Sequence, residues 1–283
     1  MTIQAQKLRA LIDSGEPFIA ADAYSAVTGR IVQQVGFPAA YLGGHACSAF
    51  HYALPDYGMF SQVEQIEQAA RIVAAIDIPL IVDADQLGET VADAYHFTRR
   101  HERAGIAGFH VEDEVNPKHS SLSNGLMPIA EMQAKIAACT KAREDPAFVI
   151  IARCDELYPD AIRGGGGNSV KEAIKRGEAY GEAGADVLVF PLASAEAHAE
   201  LFKALKTPIC VLGDLIPGAA FSLHTGWGWT GAVTMHFQRA RQLMTEGKVT
   251  LDPPFPEKAA LLEQDLYDAL IADWAKASGR PVR

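Results

Sequence analysis

Short apolar, β-branched runs alternate with longer stretches of helical period along most of the chain. The runs predict strands near Phe18–Ala21, Ala39–Leu42, Leu80–Asp83, Gly108–Glu112, Phe148–Arg153, Val187–Phe190, Ile209–Leu212 and Ala232–Met235. Apolar residues three and four apart predict helices over Gln62–Ala75, Val91–Ala104, Ile129–Ala142, Ser169–Ala183 and Ala195–Leu205. Strands apolar on both faces and separated by helices belong to parallel sheets with helical crossovers. Val35-Gly36-Phe37-Pro38, Ala104-Gly105-Ile106-Ala107 and Ala183-Gly184-Ala185-Asp186 repeat one punctuation, a C-cap glycine and a tight turn into the next strand. Eight such strands predict an α/β fold, a (β/α)₈ barrel of the TIM type, rather than an open doubly wound sheet. No G-x-G-x-x-G follows the first strand, and no Lys-Ser/Thr follows the Gly164–Gly167 run. Rossmann and P-loop readings therefore fail, and the glycine run reads as a flexible loop after strand five. Past the proline break Asp252-Pro253-Pro254-Phe255-Pro256, Glu257–Ala277 is helical by pattern. The chain thus divides into a barrel, 1–250, and a helical arm, 251–283, able to dock on its own barrel or on a neighbouring subunit.

Composition narrows the function classes. At 283 residues, with 49% hydrophobic and 21% charged residues, the chain can bury a full core. A formal charge of -10 without a Lys/Arg stripe argues against nucleic acid. An anionic ligand must then be drawn in by local cations. Cys47, Cys139, Cys154 and Cys210 form no C-x-x-C pair, which argues against a zinc or disulfide framework. The polar N-terminus has no signal-peptide core, and no apolar run approaches the ~20 residues a bilayer span needs. These features predict a cytoplasmic protein.

The chemistry gathers at strand ends, where barrel enzymes carry their catalytic groups. Leu80-Ile81-Val82-Asp83-Ala84-Asp85 runs an apolar strand into two carboxylates, and Phe109-His110-Val111-Glu112-Asp113 repeats the design. Residues two apart on a strand share a face, so Asp83 and Asp85 converge. Like charges that close need a cation or a shared proton between them. Asp83, Asp85 and Glu112 are therefore candidate ligands of a hard divalent cation, Mg²⁺ in the simplest case with Mn²⁺ as the alternative. Helix caps and surface acids are the competing explanation. Tyr41-Leu42-Gly43-Gly44-His45 ends strand two with glycines whose N–H groups could approach a carboxylate or oxyanion. Asp56, in Leu54-Pro55-Asp56, is a further acid or a ligand through water. Arg153 leaves an apolar strand and needs an anionic partner, a substrate carboxylate or else Glu112 or Asp155. The polar stretch from Glu114 to Gly125 reads as a lid, with Lys118 its main charged contributor. Cys154 reads as a packing thiol.

These motifs, in order from about residue 5 to residue 190, resemble the isocitrate lyase/phosphoenolpyruvate mutase superfamily. The resemblance implies a (β/α)₈ barrel whose eighth helix is swapped between paired subunits, within a homotetramer. It also implies a Mg²⁺-bound 2-oxo acid or enolate. Asp83, Asp85 and Glu112 would surround the metal with Asp56 nearby. Gly43, Gly44 and Arg153 would hold the pyruvyl carboxylate beside Tyr41 and His45, and Lys118 would sit on the gating loop. Lyases of this group carry a Cys and a His where the chain has Ser120 and Leu122, and its Ser120-Ser121-Leu122 looks more like the phosphonate enzymes. Arg153-Cys154-Asp155 looks more like the carbon–carbon lyases. Phe190-Pro191-Leu192 and Leu212-Gly213 lack the Glu and Asn of those lyases, which implies a second substrate half smaller or less acidic than succinate. The expected function is a Mg²⁺-dependent lyase or decarboxylase that cleaves a C–C bond in a small 2-hydroxy- or 2-oxo-dicarboxylic acid, through an enolate of a pyruvate-like product. Lys118, Ser120, Arg153 and Asp56 would be its catalytic residues, and His119 and Ser121 would touch the substrate. The alternatives are C–P cleavage or phosphoryl migration on phosphonopyruvate, and a barrel that binds metal and carboxylate without turnover.

Overall fold

Eight parallel strands close into one barrel: β1 Phe18–Asp22, β2 Ala39–Leu42, β3 Leu80–Asp83, β4 Gly108–Glu112, β5 Val149–Arg153, β6 Val187–Val189, β7 Ile209–Leu212 and β8 Phe221–His224. The computed structural model describes residues 2–120, 125–158, 167–249 and 258–279. Helices follow every strand except β7, and several begin where the sequence supplies a cap. Ser25, Ser61 and Thr90 each pair with the third residue of the helix they open in a capping box. Residues 1–231 form one compact unit and residues 232–283 a second.

Strand parity decides what the barrel interior holds. Ala20, Ala39, Tyr41, Ile81, Val149, Ile151, Val187, Val189, Phe221 and Leu223 form its apolar layers, and the helix Ile3–Asp13 packs Leu8, Leu11 and Ile12 against them. Two residues beyond Ile81 and Ile151, the same inward face carries Asp83 and Arg153. The register sets Asp83 beside His110 on β4 and Glu112 beside Arg153 on β5. The charged layer is thus the last layer of the core, at the C-terminal mouth.

The eighth strand is not where the sequence places it. Ala232–Met235 lies inside the helix Trp227–Glu246, and the strand is Phe221–His224. Val233 and Thr234 weaken a helix only slightly, and the surrounding 20 residues sustain it. A loop, not a helix, joins β7 to β8, so counting one helix per strand overshoots by one element. In the second unit the helical arm comprises Lys258–Leu261 and Gln264–Ser278. The proline break and Gly164 to Gly166 lie outside the described residues. Among those described, no helix is long and apolar enough to cross a membrane.

Candidate active site

Asp83, Asp85 and Glu112 come together: one carboxylate oxygen from each lies within 4.8 Å of the others, and all three residues are buried. Asp83 accepts the backbone N–H of Gly44 at 3.1 Å and that of Asp85 at 3.0 Å. His110 stands behind it, Nδ1 3.6 Å from Asp83 Oδ1, with its Nε2 2.8 Å from the Tyr41 hydroxyl. Burial raises the pKa of Asp83, but His110, Lys118 and Arg153 outweigh it and hold the group below the usual carboxylate range. Burial lifts Asp85 to about 6, with Lys118 opposing and Asp83 and Asp56 adding to the rise. Burial also raises Glu112 well above its ordinary value, against Arg153 and Lys118. Three such acids cannot all carry charge there unless a cation joins them.

Two protein cations answer part of that need. Lys118, fully buried, reaches Asp85, Glu112 Oε1 at 3.1 Å and Asp56 Oδ1 at 3.3 Å. Arg153 lies 3.0 Å from Glu112 Oε2 and donates from Nε to Asp155 at 2.8 Å. Both structural partners foreseen for the guanidinium are therefore engaged, yet Arg153 also lines the cavity above the acids. Asp155 is itself fixed: its N–H donates to Asp113, which accepts from Tyr180 at 2.6 Å and Arg176 at 3.2 Å.

A cavity of about 320 Å³ opens over this layer, reached by Tyr41, Gly43, Gly44, His45, Asp56, His119 and Arg153 among the expected residues. Gly44 must be glycine, because a Cβ there would stand 2.8 Å from Asp83 Oδ2. Its N–H serves the Asp83 carboxylate, not an open cradle. His45 sets its ring edge against Trp229 at 5.0 Å. His119 stacks on Tyr158 at 4.9 Å, pairs with Glu114 at 3.0 Å and stands 3.4 Å from an Arg153 nitrogen. Ser120 does not line the cavity; its hydroxyl donates to the Pro117 carbonyl at 3.2 Å. Ser121 lies outside the described residues. Cys47 is a spectator thiol, pushed up to about 12 by burial and by Asp85 and Asp83.

Some contributors escape a sequence reading. Tyr158 and Thr225 line the cavity from beyond strands five and eight, and no residue pattern marks them; Leu212, at the end of strand seven, lines it too, where the sequence marks the missing Asn. His110 could have been found, since it shares strand parity with Glu112. Asp22 ends β1 as Asp83 ends β3, but it accepts from Thr225 at 3.3 Å and the Gly228 N–H at 3.2 Å, fastening the chain after β8.

The donor set fits a hard cation. It is all oxygen, it is buried, and both Glu112 oxygens accept no hydrogen bond although two cations lie close. Magnesium takes oxygen ligands at ~2.1 Å, so groups this close can reach one ion directly or through water. With Arg153 beside it, the layer can bind a carboxylate and stabilise negative charge developing on a neighbouring oxygen.

Comparisons with known proteins point the same way. Residues 8–225 match the family model for phosphoenolpyruvate phosphomutase. The 2,3-dimethylmalate lyase of Eubacterium barkeri is 33% identical over 217 residues, 76% of this chain and 72% of that one. The phosphonopyruvate hydrolase of Variovorax sp. (strain Pal2) is 36% identical over 188 residues, 65% of this chain and 62% of that one. Among solved structures, a phosphonopyruvate hydrolase in complex with oxalate and Mg²⁺ superposes with a TM-score of 0.82 at 27% identity, covering 96% of this chain and 99% of that one.

Proposed function

The chain belongs to the phosphoenolpyruvate phosphomutase family, within the isocitrate lyase/phosphoenolpyruvate mutase superfamily, and we propose that it is a Mg²⁺-dependent carbon–carbon lyase acting on a small 2-hydroxy- or 2-oxo-dicarboxylic acid. The observation that carries this reading is the convergence of Asp83, Asp85 and Glu112 beneath a cavity that Arg153 also lines. Asp83, Asp85 and Glu112 would hold the ion, which would supply positive charge where negative charge develops. Arg153, aimed by Asp155, binds the carboxylate of the pyruvyl half. Tyr158 and His119 close over the guanidinium and exclude water. When the bond β to a 2-oxo group breaks, its electron pair passes to the enolate of a pyruvate-like acid. When a 2-hydroxy acid is cleaved, its O–H proton leaves, a 2-oxo acid forms, and the pair passes to the α-carbon of the departing acid. In either case charge accumulates on oxygen, and Lys118, whose ammonium the ion would displace from Asp85 and Glu112, is the group placed beside Asp56 to move or balance a proton. The second substrate half faces Leu212 and Thr225, which suits an alkyl-substituted fragment over an acidic one.

A homotetramer of helix-swapped dimers is part of the same reading. The helix Trp227–Glu246 has no buried residue and exposes Val233, Met235, Phe237, Leu243 and Met244, which supports docking on a second copy. A cytoplasmic location goes with a small-acid substrate. Phosphonopyruvate cleavage is the second reading, favoured by Ser120-Ser121-Leu122 and by the likeness to the hydrolase.

The test is incubation with Mg²⁺ and a panel of substituted malates and oxaloacetates, following pyruvate or glyoxylate. Product that vanishes with EDTA supports the lyase. Phosphate released from phosphonopyruvate, with the panel inert, replaces it with the second reading.

A further inference from the structure

Asp85 reaches the acid cluster from an unusual backbone. Its φ is +45°, Leu87 follows at +58° and Gly88 at +89°. Two non-glycine departures into the left-handed region within one short turn are strained, and they persist only where surrounding groups impose them. Three side chains hold this turn, Gln86 from within it and Gln62 and Lys135 from outside, and all three line a second cavity of about 480 Å³ beside it. Gln62 donates from Nε2 to the Ala84 carbonyl at 2.8 Å. Gln86 donates from Nε2 to the Glu114 carbonyl at 2.7 Å and to Asn116 Oδ1 at 2.9 Å, which ties the turn to the start of the lid. Lys135, on the helix Ile129–Ala142, donates from Nζ to the carbonyls of Gln86 at 3.0 Å and Gly88 at 2.5 Å.

Lys135 is the anomaly of the three. It is 1% exposed, and among the described residues no carboxylate lies within ion-pair distance of it, Glu131, Asp93 and Glu89 acting on it only from farther off. Burying an ammonium without a counter-ion is costly, so core packing alone favours an apolar residue at this position. What the lysine supplies instead is a pair of charge-assisted bonds to the two carbonyls that bracket Leu87, where an uncharged donor of shorter reach would span one. We propose that Lys135 is a positioning residue: it clamps the Gln86 and Gly88 carbonyls, holds Asp85 in its left-handed conformation toward Asp83 and Glu112, and through Gln86 couples the metal-side turn to the lid. The inference rests on the reading of Asp83, Asp85 and Glu112 as metal ligands, and it adds the group that makes the second of them available.

The test uses the full chain as Lys135→Met and Lys135→Gln, with Lys141→Met as a surface control on the same helix. Mn²⁺ affinity is read by electron paramagnetic resonance, amide hydrogen exchange is read in metal-free protein, and thermal melts establish that each variant is folded. Removing a group that orients a metal ligand typically weakens metal binding about 10- to 100-fold. That loss is expected for Lys135→Met, together with faster exchange at residues 85–88, unchanged exchange in the barrel strands and wild-type behaviour in Lys141→Met. Should Lys135→Met not fold, Lys135→Gln is judged by the same readings. Wild-type Mn²⁺ affinity in a folded Lys135 variant overturns the proposal while leaving the metal site intact. Wild-type protein that takes up no Mn²⁺ overturns the metal reading itself, and the proposal with it.

Discussion

The flank of the barrel formed by β3, β4 and β5 and the flank formed by β6, β7 and β8 end very differently. The first ends in Asp83, Glu112 and Arg153, all buried and bound to one another through Lys118, Asp155 and His110. The second ends in Val189, Leu212 and His224; of these only Leu212 lines the cavity, and His224 turns to the exposed Asp214 at 3.1 Å. One flank is a preorganised charge layer suited to a metal and a carboxylate. The other presents Leu212 and the Thr225 side chain to the cavity and no charged group.

The largest effect that would sharpen this contrast is expected on the charged flank. Arg153→Met should lower kcat/KM about 10²- to 10³-fold, the usual cost of losing one preorganised charge-stabilising group, as measured by steady-state kinetics on the best substrate. A variant within tenfold of wild type would show that the carboxylate is held elsewhere.

Lys118→Met should split binding from turnover. The ammonium sits among Asp56, Asp85 and Glu112, where a divalent cation would also sit, so the two compete. Its removal should tighten Mn²⁺ binding severalfold by titration while activity is lost. Weaker binding would mean that the lysine supports the metal instead.

A third comparison sets two buried histidines on the helical layer against each other. His101, behind β4 against Phe109, is driven to about 4 by burial, partly offset by the Phe97 carbonyl. His198, near β7, is lowered in the same sense by burial, with backbone bonds to Ser194 and Ala193 opposing. A folded-state pKa below the unfolded value of 6.5 leaves stability intact above pH 6.5 and removes it as pH falls toward 4, because only the unfolded chain gains the proton there. For His101 the loss is about 3 kcal/mol by pH 4. His101→Gln should remove that slope in urea unfolding between pH 7 and 4, and His198→Gln should change it less. An identical acid slope in wild type and His101→Gln would remove His101 from the account.

The smallest effect belongs to the apolar flank. Leu212→Ala should shift relative rates across alkyl-substituted substrates by about tenfold, the worth of a methylene or two in a pocket, and leave Mn²⁺ affinity unchanged. A change in metal affinity would blur the division between the flanks.

The same contrast governs what the sequence makes legible. Apolar runs ending in acids mark β3 and β4 because a barrel interior switches from packing to chemistry at the strand tip, so Asp83, Asp85 and Glu112 could be read directly. Seven of eight strands are marked by the same burial. The eighth is hidden: Phe221-Ser222-Leu223-His224 alternates apolar and polar over only four residues and lacks the continuous apolar run of its neighbours, while Ala232-Val233-Thr234-Met235 imitates a strand inside a helix. Tyr158 and Thr225 come together with the marked Leu212 only through closure of the barrel, which leaves no local pattern. Lys135 reads as an ordinary helical lysine until its carbonyl partners on another element are seen.

The most direct test of the central claim is an anomalous diffraction map from crystals grown with Mn²⁺ and oxalate. The account predicts a single strong peak bounded by Asp83, Asp85 and Glu112, with Lys118 withdrawn and oxalate between the ion and Arg153. A map with no peak there, and the Lys118 ammonium still seated among the acids, would contradict it.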